Sequence, residues 1–154
     1  MRTATVVVLT LLAAVVSAGE NAPWVDMGNC PICKNVSSED GLMENMTWEH
    51  HVTATGVMTV STVKPEFQER FEHAKGKMKK LLGKLVAGES LEVCGYCSSL
   101  SSLLKKGAKA ENVITATSDI MLISSTDEAM IAKIHTHANK TIDFLKITHE
   151  GHDH

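Results

Sequence analysis

The chain has few aromatic residues and no concentration of positive charge. Of its 154 residues only 4% are aromatic, and 18 acidic residues outnumber 15 lysines and arginines, which gives a formal net charge of -3. The lysines are interspersed along the chain. Proteins that bind nucleic acids usually present a basic stripe, with stacking aromatic rings where they bind single strands. We therefore expect no nucleic-acid partner.

Motifs of common enzyme classes are also absent from the sequence. It has no glycine-rich phosphate loop, no His-Glu-x-x-His helix and no nucleophile elbow. Asp119, Asp127 and Glu128 are explained as turn and helix-cap residues. We expect a protein that is not an enzyme.

A long apolar run occurs only at the amino terminus. Arg2 is followed by "ATVVVLTLLAAVV" and then by the small residues of "VSA". This pattern predicts a signal peptide over residues 1–18, cleaved after about Ala18, and a secreted or periplasmic location. The run is shorter than the roughly 20 residues that cross a bilayer, so we expect no stable membrane insertion after cleavage.

The remainder repeats one order of elements twice. "HVTATGVMTVSTVKPEFQERFEHAKGKM" is echoed by "NVITATSDIMLISSTDEAMIAKIHTHANKT", and a Cys-x-x-Cys pair precedes each copy. The agreement in order, turn position and helix register indicates an internal duplication. We predict a single domain over residues 19–147, made of repeats at about 30–88 and 94–147, and a His-rich tail at 148–154.

Each copy is typical of two strands followed by a helix. The β-branched runs break at Thr55-Gly56 and at Ser118-Asp119, and Pro65 and Gly88 predict the ends of the first long helix. Two such units predict an α+β fold with a four-stranded antiparallel sheet and helices on one face, a permuted ferredoxin-like plan. Apolar residues at alternating strand positions also predict a homodimer that covers the second face.

The four cysteines stand as "CPIC" and "CGYC". Cys-x-x-Cys turns place two sulfurs around one tetrahedral ion, and Pro31 and Gly95 are typical of such knuckles. We predict an exported metal-binding protein, with metal homeostasis as its role, that holds zinc or copper through the four thiols. The pairs are far apart in the sequence, but a two-fold relation between the repeats would bring them together. The predicted ligands are Cys30, Cys33, Cys94 and Cys97.

Two alternatives use the same cysteines. Cys94 precedes a predicted helix, whose dipole would favour a reactive thiolate, so Cys94 and Cys97 could serve a thiol-disulfide oxidoreductase. The compartments that receive exported proteins also oxidise unprotected thiols. This predicts a disulfide-stapled interaction module without chemistry of its own.

The stretch "LMENMTWEHH" combines thioether and imidazole side chains, which suit Cu(I). In composition alone it resembles the Met, His and Trp chemistry of periplasmic copper chaperones. The alternative is structural, with the methionines on one face of a short helix and the two histidines on opposite faces of a strand. Both interpretations stay open for Met43, Met46, His50, His51 and the His-rich tail.

Overall fold

The computed structural model describes the backbone of residues 22–150 and the side chains of residues 22–147. The predicted signal peptide and most of the predicted tail lie outside these residues. The helices are α1 Lys34–Ser37, α2 Gln68–Ala87, α3 Gly95–Lys105 and α4 Glu128–Glu150. The strands are β1 Met46–Thr53, β2 Gly56–Val63, β3 Lys109–Ile114 and β4 Ser118–Ser124.

The four strands form one antiparallel sheet in the order β1-β2-β4-β3. Each hairpin contributes one edge strand and one central strand, and β2 pairs with β4 at the centre. The predicted α+β class and four-stranded antiparallel sheet are therefore confirmed. Each half also has the order helix, hairpin, helix. The duplication and the permuted ferredoxin-like arrangement stay predictions.

The hairpins begin earlier than the β-branched runs suggested. β1 starts at Met46, directly after a 3-10 turn over Met43–Asn45, and β3 starts at Lys109. In β1 the side chains of Met46, Trp48 and His50 alternate with exposed ones, as expected for a strand with one covered face. The alternation of Met46, Trp48 and His50 was therefore the better guide to β1.

The residues predicted to start or end helices do so in the structure. Pro65 opens a 3-10 turn that leads into α2, and Gly88 ends α2 with a φ of 103°, a left-handed conformation that glycine adopts without strain. At the start of α4 the backbone N–H of Met130 donates to the Asp127 carboxylate at 2.7 Å. This bond satisfies one of the N–H groups that a helix start leaves without a partner.

The helices cover one face of the sheet. Val57 of β2 and Ile123 of β4 pack with Met130, Ile134 and Ala138 of α4 in the larger buried cluster. A smaller cluster joins α1 and α2 to the end of β2; its buried members are Val36, Leu42, Val63, Phe71 and Ala74. Within the described part of the chain, no helix has a stretch long and apolar enough to cross a membrane.

An ion pair links α2 to the centre of the sheet. The Lys75 ammonium lies 2.8 Å from the carboxylate of Asp119, which is 7% exposed, and the Asn112 side-chain amide donates to the same carboxylate at 3.2 Å. Since a buried carboxylate needs compensation, this pair fixes α2 over β4.

Candidate metal centre

The structure brings all four predicted cysteines to one place. Cys30 and Cys33 lie at the turn that leads into α1, and Cys94 and Cys97 lie at the start of α3. Each is buried, with at most 5% of its surface exposed, and the four Sγ atoms lie within 4.8 Å of one another. The cluster can therefore hold one metal ion.

The distances between the sulfurs match a tetrahedral tetrathiolate. Sγ of Cys97 lies 3.8 Å from that of Cys30 and 3.4 Å from that of Cys33, and Cys33 Sγ lies 3.6 Å from Cys94 Sγ. Zinc–sulfur bonds of about 2.3 Å at tetrahedral angles separate the sulfurs by about 3.8 Å. A disulfide needs about 2.05 Å. All four cysteines are free thiols here.

The two Cys-x-x-Cys turns have matching backbone geometry. The carbonyl of Cys30 accepts from the N–H of Lys34 at 3.0 Å, and the carbonyl of Cys94 accepts from the N–H of Ser98 at the same distance. In each turn the backbone of the second cysteine lowers the pKa of the first thiol. A lowered pKa favours the thiolate, which is the form that binds a metal.

The thiols act electrostatically as one group. Hydrogen bonds from the other thiols, led by that of Cys33, lower the pKa of Cys30 far below its usual range. The pKa of Cys94 is lowered to about 6, because the raising effect of Cys30 is outweighed by Cys33 and Cys97. Hydrogen bonds to Cys30 first, and then to the other thiols, raise the pKa of Cys97. The thiols therefore titrate as one coupled group, and a bound cation can take the place of their protons.

Pro23 and Trp24, which precede the first cysteine pair, close the site from one side. The carbonyls of Pro23 and Trp24 accept from the first two N–H groups of α3, those of Gly95 and Tyr96, at 3.1 and 2.7 Å. A Cβ atom at Gly95 would lie 2.9 Å from Cε3 of Trp24. Since Gly95 has no positive φ in the structure, the site needs glycine here for space and not for a special turn.

The buried core that contains the four cysteines also contains Tyr96, and Trp24 and Trp48 pack against it. Both tryptophans and the one tyrosine of the chain gather here with two histidines, at centroid distances of 4.9 to 6.5 Å. The five rings are those of Trp24, Trp48, His50, Tyr96 and His137. We call this set the aromatic cluster. Sequence reasoning missed it, because the rings come from four separate segments.

The stretch "LMENMTWEHH", whose side chains suit Cu(I), does not form one site. Met43 is exposed, and alternation along β1 sends His50 to the covered face while His51 pairs with Glu49 at 3.1 Å in solvent. On α4, His137 is fully buried, whereas His135 donates to the carbonyl of Thr53. The predicted placement of His50 and His51 on opposite faces of a strand is therefore confirmed, whereas the predicted shared helix face of Met43 and Met46 is wrong, because Met46 already belongs to β1.

Comparisons of the chain with protein-family models, with curated proteins and with solved structures found no match. The candidate site therefore rests on the geometry of the four thiols.

Proposed function

We propose that the protein binds one zinc ion through Cys30, Cys33, Cys94 and Cys97, and that the ion holds its two halves together. The observation that carries this proposal is the burial of four sulfurs within 4.8 Å of one another, with three of the sulfur pairs 3.4 to 3.8 Å apart. Four thiolates complete a tetrahedral shell and leave no position for substrate, which is typical of structural zinc and not of catalytic zinc.

Geometry favours zinc over copper among the two predicted metals. Tetrahedral four-sulfur sites are typical of zinc or iron, whereas copper(II) prefers square-planar or tetragonal nitrogen and oxygen ligands. Coordination to zinc would occupy the four thiolates and so would slow their oxidation in an oxidising compartment. This fits the proposed export of the chain, which rests on residues 1–18 and is tested by the amino-terminal sequence of the exported protein.

Thiol-disulfide exchange is the second candidate, and one observation favours it. Cys94 stands at the start of α3 and its pKa is lowered to about 6. Exchange, however, requires that a partner disulfide reach the attacking sulfur, and Cys94 and Cys97 are only 3% and 2% exposed. Burial therefore favours the metal-binding proposal.

The deciding experiment is elemental analysis, intact mass and thiol titration of protein purified natively from its exported form. We expect one zinc per chain and four free thiols after chelation. Replacement of zinc by Co²⁺ should give the strong visible absorption of a tetrahedral thiolate site, and Cys97→Ser should abolish that spectrum. Metal-free protein with a mass about 4 Da lower, as two disulfides require, would refute the proposal.

The proposed homodimer concerns the face of the sheet opposite the helices. Met58, Val60, Ile120 and Leu122 lie there half-buried, and neither buried cluster includes them. Val113 on the neighbouring edge strand is 59% exposed. Light scattering of the mature protein tests this proposal, and a monomer mass at micromolar concentration would exclude it.

A further inference from the structure

A strap formed by Pro23, Trp24 and Val25 crosses the start of α3, the helix that carries the second cysteine pair. The carbonyls of Pro23 and Trp24 accept from the first two N–H groups of α3, at 3.1 and 2.7 Å. Val25 is 7% exposed and belongs to the buried cluster that contains all four cysteines. The strap therefore joins the segment before the first cysteine pair to the second pair.

The indole of Trp24 anchors the strap to α4. Its Nε1–H donates to Oγ1 of Thr141 at 3.1 Å, and the same hydroxyl donates to the carbonyl of His137 at 2.9 Å. Thr141 is 0% exposed, so its hydroxyl is held in one orientation, accepting one bond and donating the other. The Lys140 ammonium lies 5.3 Å from the centroid of the Trp24 ring. Helix α4 thereby fixes the position of the strap.

A closed turn connects the strap to the first cysteine pair. The carboxylate of Asp26 accepts from the backbone N–H groups of Gly28 and Asn29 at 3.0 and 2.8 Å. The Asp26 carbonyl accepts from the N–H of Cys30 at 3.3 Å. Aspartate turns of this kind hold a short backbone segment in one conformation. A displacement of the strap therefore also displaces Cys30.

The strap and the proposed ion link the same two parts of the chain. The ion bridges the two cysteine pairs, and the strap bonds the segment just before Cys30 to the residues just after Cys94. When one of two parallel links is closed, the entropy cost of closing the other falls. Each link should therefore strengthen the other, and such a coupling between two binding events is reciprocal.

We propose that the strap controls how firmly the centre holds its metal. With Trp24 bonded to Thr141 the ion is retained, and release of the strap from α4 weakens zinc binding and speeds the loss of zinc. Trp24 is thus a positioning residue that acts through the start of α3 and is not itself a ligand. The inference rests on the proposed zinc site.

The test is the zinc affinity of the full chain in competition with chelators of graded strength, together with the rate of zinc release into excess chelator. His149, His152 and His154 are replaced by alanine in every variant, so that the tail contributes no ligands. Trp24→Phe and Thr141→Val each remove the indole hydrogen bond and should weaken zinc binding by about 3- to 10-fold, with faster release. The double variant should bind zinc like Trp24→Phe alone, because both changes remove the same bond.

Two controls separate positioning from a general loss of stability. Thr136→Val also lies on α4 and removes a hydroxyl that donates to the carbonyl of Ala132, so it should bind zinc as the parent does. Lys75→Ala weakens the fold through the pair with Asp119, which does not involve the strap, and should keep the parental affinity while the protein is folded. The Co²⁺ absorption spectrum should stay the same in all variants, since all four thiolates remain.

The reciprocal effect is measured by hydrogen exchange at the amides of Gly95 and Tyr96, which donate to the strap. Zinc should slow exchange at both amides, and Thr141→Val should reduce that protection.

Several results would overturn the strap. These are parental zinc affinity and release rate in Trp24→Phe and Thr141→Val, or equal weakening in Thr136→Val or Lys75→Ala. If Trp24→Phe fails to fold, Thr141→Val decides. Missing zinc in the parent is a separate result, which refutes the zinc proposal and this inference with it.

Discussion

Removal of the proposed zinc ion should destabilise the fold by an amount that follows from chain length. Cys33 and Cys94 are 61 residues apart in sequence, yet their sulfurs are 3.6 Å apart. An ion bound by both closes a loop of this length and restricts the unfolded chain. The loop-entropy relation for a covalent link of this length gives about 4 kcal/mol, and we expect a loss of this order on chelation.

The assay is urea unfolding at pH 7.5 under reducing conditions, with and without a strong chelator, followed by circular dichroism. A loss of about 4 kcal/mol should also lower the thermal midpoint by roughly 10 to 20 °C for a domain of this size. The expected result is a large shift of both midpoints, reversed by added zinc.

Cys97→Ser supplies the matched test, because it removes one ligand from the centre. This variant should start near the stability of the chelated parent and respond little to chelator. Ser101→Ala, one turn farther along α3, should keep the full response, since Ser101 bonds only the Ser98 carbonyl. The reasoning is refuted if chelation of zinc-bearing protein changes the unfolding free energy by less than about 1 kcal/mol.

Three further predictions concern the fold around the centre. Gly95→Ala should destabilise by about 1 to 3 kcal/mol and change the tryptophan emission, because the new Cβ lies 2.9 Å from Trp24. Lys75→Ala should cost about 2 to 3 kcal/mol in urea unfolding, since it leaves the Asp119 carboxylate buried without its cation. Burial lowers the pKa of His137 to about 4, below the roughly 6.5 of an unfolded chain, so the unfolded state takes up the proton first as the pH falls. The stability from this group is therefore present above pH 6.5 and lost toward pH 4, and His137→Gln should reduce that loss by up to about 3 kcal/mol.

Each of these predictions has a control on the surface. Gly83→Ala lies in open space on α2 and should stabilise by up to about 1 kcal/mol, so equal destabilisation by both alanine variants would contradict the packing argument. Lys84→Ala removes an exposed pair with Glu89 and should cost less than about 1 kcal/mol. His51→Gln on the exposed side of β1 is the surface control for the histidine change, and a profile of His137→Gln that parallels the parent would count against buried His137 as the source of the pH dependence.

Much of the fold could be predicted from the sequence because its signals are local. Pro65, Gly88 and the cap at Asp127 mark helix ends through backbone geometry that a few neighbouring residues decide. The β-branched runs placed the two hairpins, although β1 and β3 begin earlier than these runs. The four-stranded antiparallel sheet was also predicted, whereas the strand order β1-β2-β4-β3 comes from the structure alone.

The sequence by itself determined which atoms could bind a metal. Each Cys-x-x-Cys turn brings its own two sulfurs close together through local backbone geometry. The four thiols were therefore named as ligands from that spacing alone. The sequence left open whether the turns would meet or would each form a disulfide. Only the tertiary structure decided this, by placing α3 beside the α1 turn with all four sulfurs within 4.8 Å of one another.

The tertiary structure alone also decided which histidines matter. Residue types suggested that His50 and His51 act with neighbouring methionines, but strand alternation separates them, and His50 meets Tyr96 instead. His137, 87 residues farther along the chain than His50, completes the cluster through helix packing. The physical reason is that local geometry fixes a turn within a few residues, whereas the partners of a buried ring depend on how distant elements pack.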